Sequence, residues 1–184
     1  MNGLFWKVCT VWALLLGSIA LARTALPGTS RQLEEAGMPK AGELVVPRSP
    51  LTAVSGNSFP ALAGEGFTLF LVTWAGCEAC KRDLSTYPSL LRDAERLGIA
   101  TRWLVVPSSA AETTWFLSRA SSHSEVVLDS VGISYADLRA KVTPSALLAD
   151  GHGIVKASFS PSLRNWPVTQ EALIQSLRPD RPGS

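Results

Sequence analysis

The residues best suited to chemistry are Cys77-Glu78-Ala79-Cys80. An apolar run, Phe67–Val72, precedes them, and a segment with helical periodicity follows. Two thiols at this spacing, at the start of a helix, lie close enough to close a small disulfide. Unpaired N–H groups and the dipole at a helix N-terminus favour a thiolate on the first of them. The chemistry that follows is thiol–disulfide exchange. Cys77 attacks a partner disulfide, and Cys80 resolves the mixed disulfide. Glu78 places a carboxylate beside the thiolate and opposes its stabilisation, while Lys81 partly offsets that effect. The balance leans toward a reducing couple. The bland alternatives for the pair are a static disulfide or half of a metal site.

Asp83 follows Cys80 by three residues, on the same helical face. If partly buried, it can accept the Cys80 proton during resolution; otherwise it is a solvated acid near a helix start. Trp74, three residues before Cys77, either lines the face around the nucleophile or belongs to the core. His123 and His152 fall in loops and read as surface turn residues. Cys9 lies in an apolar stretch with no lipobox before it and reads as a small membrane-embedded side chain.

The elements that must position this pair follow from periodicity. Leu51–Val54 and Ser58–Ala61 flank a Ser55-Gly56-Asn57 turn and predict a short hairpin. Phe67–Val72 and Thr101–Val106 are continuous apolar runs, as expected of buried parallel strands. Between them, Leu84, Tyr87, Leu91 and Ala94 recur at helical spacing, predicting a helix kinked at Pro88 and stopped by Gly98. A helix over 110–120, a strand over 125–128, a short helix over 134–140 and a strand over 145–149 follow. Asp150-Gly151-His152-Gly153 is a hairpin turn into a strand over 154–158, and a terminal amphipathic helix covers 168–177. This order predicts a mixed α/β sheet.

The chain has 184 residues and a net charge of +2, from 17 basic and 15 acidic side chains spread along its length. No basic block points to nucleic acid. Leu4 to Ala22 is a 19-residue run, apolar apart from Lys7 and small polar residues, long enough to span a bilayer. Lys7 and the amino terminus place the N-terminal side in the cytoplasm and the rest outside. Ala20-Leu21-Ala22 also has the form of a signal-peptidase site. Residues 1–22 are therefore expected as a signal-anchor helix and residues 23–46, rich in Gly, Pro, Ala and charge, as a linker. Residues 47–178 form the α/β domain, and 179–184 a disordered tail. Export puts the Cys77–Cys80 pair where disulfide chemistry is allowed.

This combination resembles the thioredoxin superfamily, most closely its membrane-anchored, exported TlpA/ResA-like branch of thiol–disulfide oxidoreductases. The resemblance rests on Cys77-Glu78-Ala79-Cys80-Lys81-Arg82-Asp83, then on Val127-Leu128-Asp129, Val142-Thr143-Pro144-Ser145 and Leu148-Ala149-Asp150-Gly151, in order and spacing. It implies a thioredoxin-like fold, a cis peptide at Thr143–Pro144 beside the two sulfurs, and a proton-transfer role for Asp83. Trp74, Thr143 and Pro144 would form the substrate groove. The chain departs from the usual pattern: Gly76 replaces the aromatic residue before the first Cys, and Ala79 replaces a common Pro. Leu71 stands where thioredoxin itself has a buried acid. The methylamine-utilisation MauD-like proteins are a second anchored branch with Cys-x-x-Cys-Lys.

The resemblance implies a redox-active Cys77–Cys80 disulfide, with no organic cofactor and no metal. The partners it implies are an exported client protein with a disulfide, as in cytochrome c maturation or assembly of another exported redox enzyme, and a membrane thiol transporter as electron donor. The expected location is the bacterial cytoplasmic membrane, with the catalytic domain facing the periplasm or outside. A copper-binding assembly chaperone of the same fold is the rival from another class. It wants a Cys-x-x-x-Cys spacing and a His near the sulfurs. An oxidase or isomerase of the DsbA/DsbC sort shares the Thr-Pro loop and is disfavoured by Glu78.

Overall fold

The computed structural model describes residues 37–120 and 126–160. At its centre is strand β3 (Phe67–Trp74), after a short hairpin of β1 (Leu51–Thr52) and β2 (Ser58–Phe59). Helix α1 (Glu78–Arg82), helix α2 (Tyr87–Arg96) and strand β4 (Ala100–Val106) follow. Then come α3 (Ala110–Ala120), β5 (Val126–Leu128), a π turn at Ile133–Asp137, β6 (Ser145–Asp150) and β7 (Val155–Phe159). The main sheet has the order β5-β4-β3-β6-β7. β3, β4 and β5 run parallel, and β6 and β7 are antiparallel to their neighbours.

Composition explains the placement of β3. Residues 68–73 are buried without alternation, which suits a strand covered on both faces. β4 is similar and includes a buried Arg102. Its guanidinium donates to the Pro60 carbonyl at 3.2 and 3.1 Å and lies 4.5 Å from the centre of the Phe59 ring. The charge is thereby satisfied, and the β1–β2 hairpin is tied to the sheet. Trp103 faces the other way, with Tyr87 of α2 and Phe116 of α3 packed edge-on against it at 5.6 and 6.3 Å. Its indole N–H donates to Thr73 Oγ1 at 2.9 Å. Both crossover helices therefore cover the same face of the sheet.

The expected single helix after the cysteines is two helices. α1 ends at Arg82, and α2 begins at Tyr87 with Pro88 in its first turn. Proline has no N–H to give the Leu84 carbonyl, and its ring would strike it, so the chain breaks before Pro88 rather than bending at it. Thr86 fills the gap by donating Oγ1 to the Asp83 carbonyl at 2.7 Å. α2 buries Tyr87, Leu90, Leu91 and Ala94, one stripe at helical spacing.

Two further expectations change. The short helix expected over 134–140 is the π turn, closed by the Leu138 N–H to the Ile133 carbonyl at 2.9 Å. Buried Asp129 holds its start, accepting the N–H groups of Ile133 and Ser134 at 2.7 and 2.8 Å and the Ser134 hydroxyl. The end of the expected linker, residues 37–46, packs on the domain. Met38 and Val45 are buried, and the Val45 N–H bonds Gly153 while the Val155 N–H bonds Glu43, both at 2.8 Å. This stretch covers backbone groups where β7 begins, which composition could not reveal. The terminal helix expected over 168–177 and the apolar run of residues 4–22 lie outside the described residues. Among the described residues, no helix is long and apolar enough to cross a membrane.

The β6–β7 hairpin turns at the predicted Asp150-Gly151-His152-Gly153. Gly151 is required by contact: a Cβ there would lie 1.3 Å from the Gly64 carbonyl oxygen. Phe67 pairs with Asp150, so this turn lies at the start of β3 and the cysteines follow its end. An eight-residue strand puts roughly 25 Å between them.

Candidate thiol site

β3 delivers the site. Its last residue, Trp74, leads into Ala75, whose N–H still bonds the Val106 carbonyl at 3.0 Å. The Cys77 N–H then folds back to the Trp74 carbonyl at 3.0 Å, and Cys77 becomes the N-cap of α1. Gly76 allows this turn to lie against its neighbours. A Cβ there would be 2.8 Å from both Ser108 Oγ and Trp74 Cζ2. An aromatic side chain at this place, as in the resembling family, would have to displace both side chains. Trp74 itself is exposed, on the rim of the turn.

Both cysteines are free thiols. The Cys77 sulfur accepts the backbone N–H of Cys80 at 3.2 Å and is partly accessible. Because α1 has only five residues, this amide, rather than the dipole of a long helix, is the local support for a thiolate. Cys80 is fully buried. Burial, reinforced by its hydrogen bond with Cys77, pushes its thiol up to about 12. The two sulfurs therefore differ in access, and Cys77 is the one a partner can reach.

The pairing of β6 with β3 brings the second half of the site. Ser145, first residue of β6, opposes Val72 near the end of β3, so Thr143 and Pro144 fall beside the cysteines. The Cys77 thiol donates to the Thr143 carbonyl at 3.7 Å. The Thr143–Pro144 peptide is cis, as the resemblance implies; a second cis peptide, Ser49–Pro50, was not anticipated. Pro144 is buried and Thr143 half-buried.

Asp83 is not a solvated helix acid. It caps the end of α1 with its side chain 5% exposed, and accepts Arg82 Nε at 3.4 Å. Its charge, with those of Cys80 and Cys77, falls on Tyr87. The Tyr87 hydroxyl is buried without a hydrogen-bond partner among the described residues. Burial first, then these three neighbours, raises its ionisation well above the ordinary range for tyrosine. Sequence reasoning had Tyr87 only as a core position.

Lys81 and Glu78 pair at 3.0 Å, as their spacing allows. The partner that sequence reasoning missed is Glu112 of α3, whose Oε1 is 2.9 Å from the Lys81 ammonium. Its other oxygen accepts the hydroxyls of Ser108 at 2.7 Å and Ser109 at 3.1 Å. The Glu112 N–H donates back to Ser109 Oγ at 3.3 Å, which is one of the two bonds of a capping box; the carboxylate takes the Ser109 hydroxyl. The Ser109-x-x-Glu112 spacing was the available signal. Lys81, Ser108 and Ser109 together hold the Glu112 carboxyl down at about 2. The Lys81 ammonium is held in the opposite direction, above its ordinary value, by Glu112 first and Glu78 second.

His152 is exposed at the far hairpin, and His123 lies outside the described residues. Among the described residues, no three His, Cys, Asp or Glu side chains converge as a metal site would need.

This sheet order, with a Cys-x-x-Cys turn between β3 and its helix and a cis-proline loop against it, defines a thioredoxin-like fold. No family model matches the chain, and no curated protein sequence matches it. Solved structures do. The thioredoxin domain of a thiol-disulfide oxidoreductase from Bacteroides vulgatus is 17% identical, with TM-score 0.53 over 74% of this chain and 99% of that one. StoA from Bacillus subtilis is 15% identical, with TM-score 0.54 over 70% and 98%. A secreted disulfide oxidoreductase of Mycobacterium tuberculosis, described as homologous to Escherichia coli DsbE, is 14% identical, with TM-score 0.50 over 69% and 95%.

Proposed function

We propose that the chain is a protein thiol–disulfide oxidoreductase working through Cys77 and Cys80, and that it acts as a reductase. The observation that carries this reading is the unequal pair. One sulfur is accessible and bonded by an amide; the other is fully buried and bonded to the first through its own N–H. The Cys77 thiolate attacks one sulfur of a client disulfide, and the other client sulfur leaves and takes a proton. Cys80 then loses its proton and attacks the Cys77 sulfur, releasing the second client thiol. One client disulfide becomes two thiols, and two protein thiols become one disulfide. Asp83, buried three residues from Cys80, is the group we assign to take the Cys80 proton.

We further propose that this is an exported protein of the TlpA/ResA-like kind, anchored by residues 1–22 in the cytoplasmic membrane, with its domain on the outer side. Its clients would be exported proteins, as in cytochrome c maturation, and a membrane thiol transporter would return it to the dithiol. Glu78 supports the reducing direction, because a carboxylate beside Cys77 disfavours the thiolate. Equilibration with glutathione and dithiothreitol buffers tests this. A potential nearer the thioredoxin value (roughly −270 mV) than the DsbA value (roughly −120 mV) is expected, and one above about −180 mV overturns the reductase assignment.

A further inference from the structure

We infer that Glu112 is a positioning residue for the thiol chemistry: it holds the Lys81 ammonium against α3 and so limits how strongly that charge favours the Cys77 thiolate. This rests on the proposed exchange reaction and adds the device that sets the nucleophile's reactivity.

The geometry is built rather than incidental. Glu112 uses both oxygens: Oε1 for Lys81 at 2.9 Å, and Oε2 for Ser108 and Ser109 at 2.7 and 3.1 Å. A carboxylate fixed from both sides cannot follow the ammonium elsewhere. Glu78 differs in kind. Its side chain is 87% exposed, against 39% for Glu112, and an exposed pair of this spacing on one helix is weak and screened. Glu112 is therefore the partner that fixes Lys81.

Lys81 is one helical turn from Cys77, its own N–H bonded to the Cys77 carbonyl at 3.0 Å. Left free, its ammonium could swing toward the sulfur. The tether reaches the nucleophile from its other side as well, because Ser108 Oγ lies against Gly76, the residue before Cys77. The charged and titratable groups around Cys77 are few. From α1 come Glu78, Lys81, Cys80 and the Arg82–Asp83 pair; from α2 comes Tyr87 and from α3 comes Glu112. The Thr143 loop presents its carbonyl. Arg82 and Asp83 offset each other, so one ammonium faces two carboxylates. Among the charged side chains just named, Lys81 is the one that adds to the pull of the Cys80 amide on the thiolate, and Glu112 holds it back.

The test reads the thiol directly, in the reduced full-length chain. The rate of iodoacetamide alkylation at Cys77, located by peptide mass, is followed against pH. Glu112→Gln should lower the midpoint by about half a unit to one unit, making alkylation below the midpoint about three- to tenfold faster. In a Lys81→Met background, where no ammonium remains to release, the same substitution should shift the midpoint much less. An unchanged or raised midpoint on Glu112→Gln overturns the inference, as does an equal shift in both backgrounds, which would mean a direct effect on Cys77. If Glu112→Gln does not fold, the double variant Ser108→Ala/Ser109→Ala, which loosens the same carboxylate, must move the midpoint down; no movement overturns the inference. Because alkylation needs no client, failure of the exchange reading would show separately, as a parent protein that does not exchange with glutathione.

Discussion

The backbone N–H of Cys80 donates to the sulfur of Cys77 at 3.2 Å, so each cysteine acts on the other before any disulfide forms. The bond supports negative charge on Cys77. The burial that shapes it leaves Cys80 with a thiol that resists ionisation, at about 12. Under the proposed exchange, Cys77 attacks and Cys80 follows only once its proton is removed.

The first prediction follows from that inequality. At pH 8 iodoacetamide should label Cys77 and leave Cys80 unmodified in the folded protein, as peptide mapping will show. The sign for stability is also set. The Cys80 thiol ionises at 9.0 in its unperturbed state and at about 12 when folded, so the folded form holds the extra proton between those values. Its contribution to stability is complete below pH 9 and is lost as pH rises toward 12. The reduced parent should lose melting temperature over this range more steeply than Cys80→Ser, which has no thiol there. Parallel curves would refute the assignment.

Cys80→Ser removes the resolving thiol and should trap a mixed disulfide between Cys77 and its client. Non-reducing gels and mass spectrometry of the adduct identify the partner. An adduct that instead forms in Cys77→Ser through Cys80 would reverse the roles, against the full burial of Cys80.

Asp83→Asn keeps the shape of a buried side chain and removes its basicity. Resolution of the mixed disulfide should slow by about tenfold or more, with an altered pH–rate profile. The readout is single-turnover reduction of a model protein disulfide. A profile that superimposes on the parent would reduce Asp83 to its cap on α1.

Gly151→Ala tests the packing that closes the far end of the sheet. The new methyl would meet the Gly64 carbonyl at 1.3 Å, a backbone atom that cannot rotate away. Destabilisation of about 3 kcal/mol or more is expected, read by denaturant unfolding. Cys77 reactivity should be little changed, because the site is at the other end of β3.

The sequence alone was enough to reveal the two cysteines, the apolar strand before them, and the order of strands from 67 to 159. These features are local. Burial of β3 shows as an unbroken apolar run, and the α2 stripe as 3.6-residue spacing, because each depends on residues within a turn or two. The helix break was also local but misread. Pro88 tolerates the first turn of a helix better than its middle, so the chain stops and restarts before it.

What only tertiary structure decided lies across long separations. Thr143 reaches Cys77 over 66 positions because β6 pairs antiparallel with β3, which puts the start of one strand beside the end of the other. Glu112 meets Lys81 over 31 positions because α2 and α3 cover the same face of the sheet. Residues 42–45 meet the start of β7 because backbone groups there were open, a fact no side-chain pattern records. Asp83 is buried, not solvated, because α1 ends there. Periodicity shows which face of an element is apolar, but not which distant element covers it. Register and crossover geometry make that choice, and here they turn a pair of thiols into an unequal pair with its charges held in place.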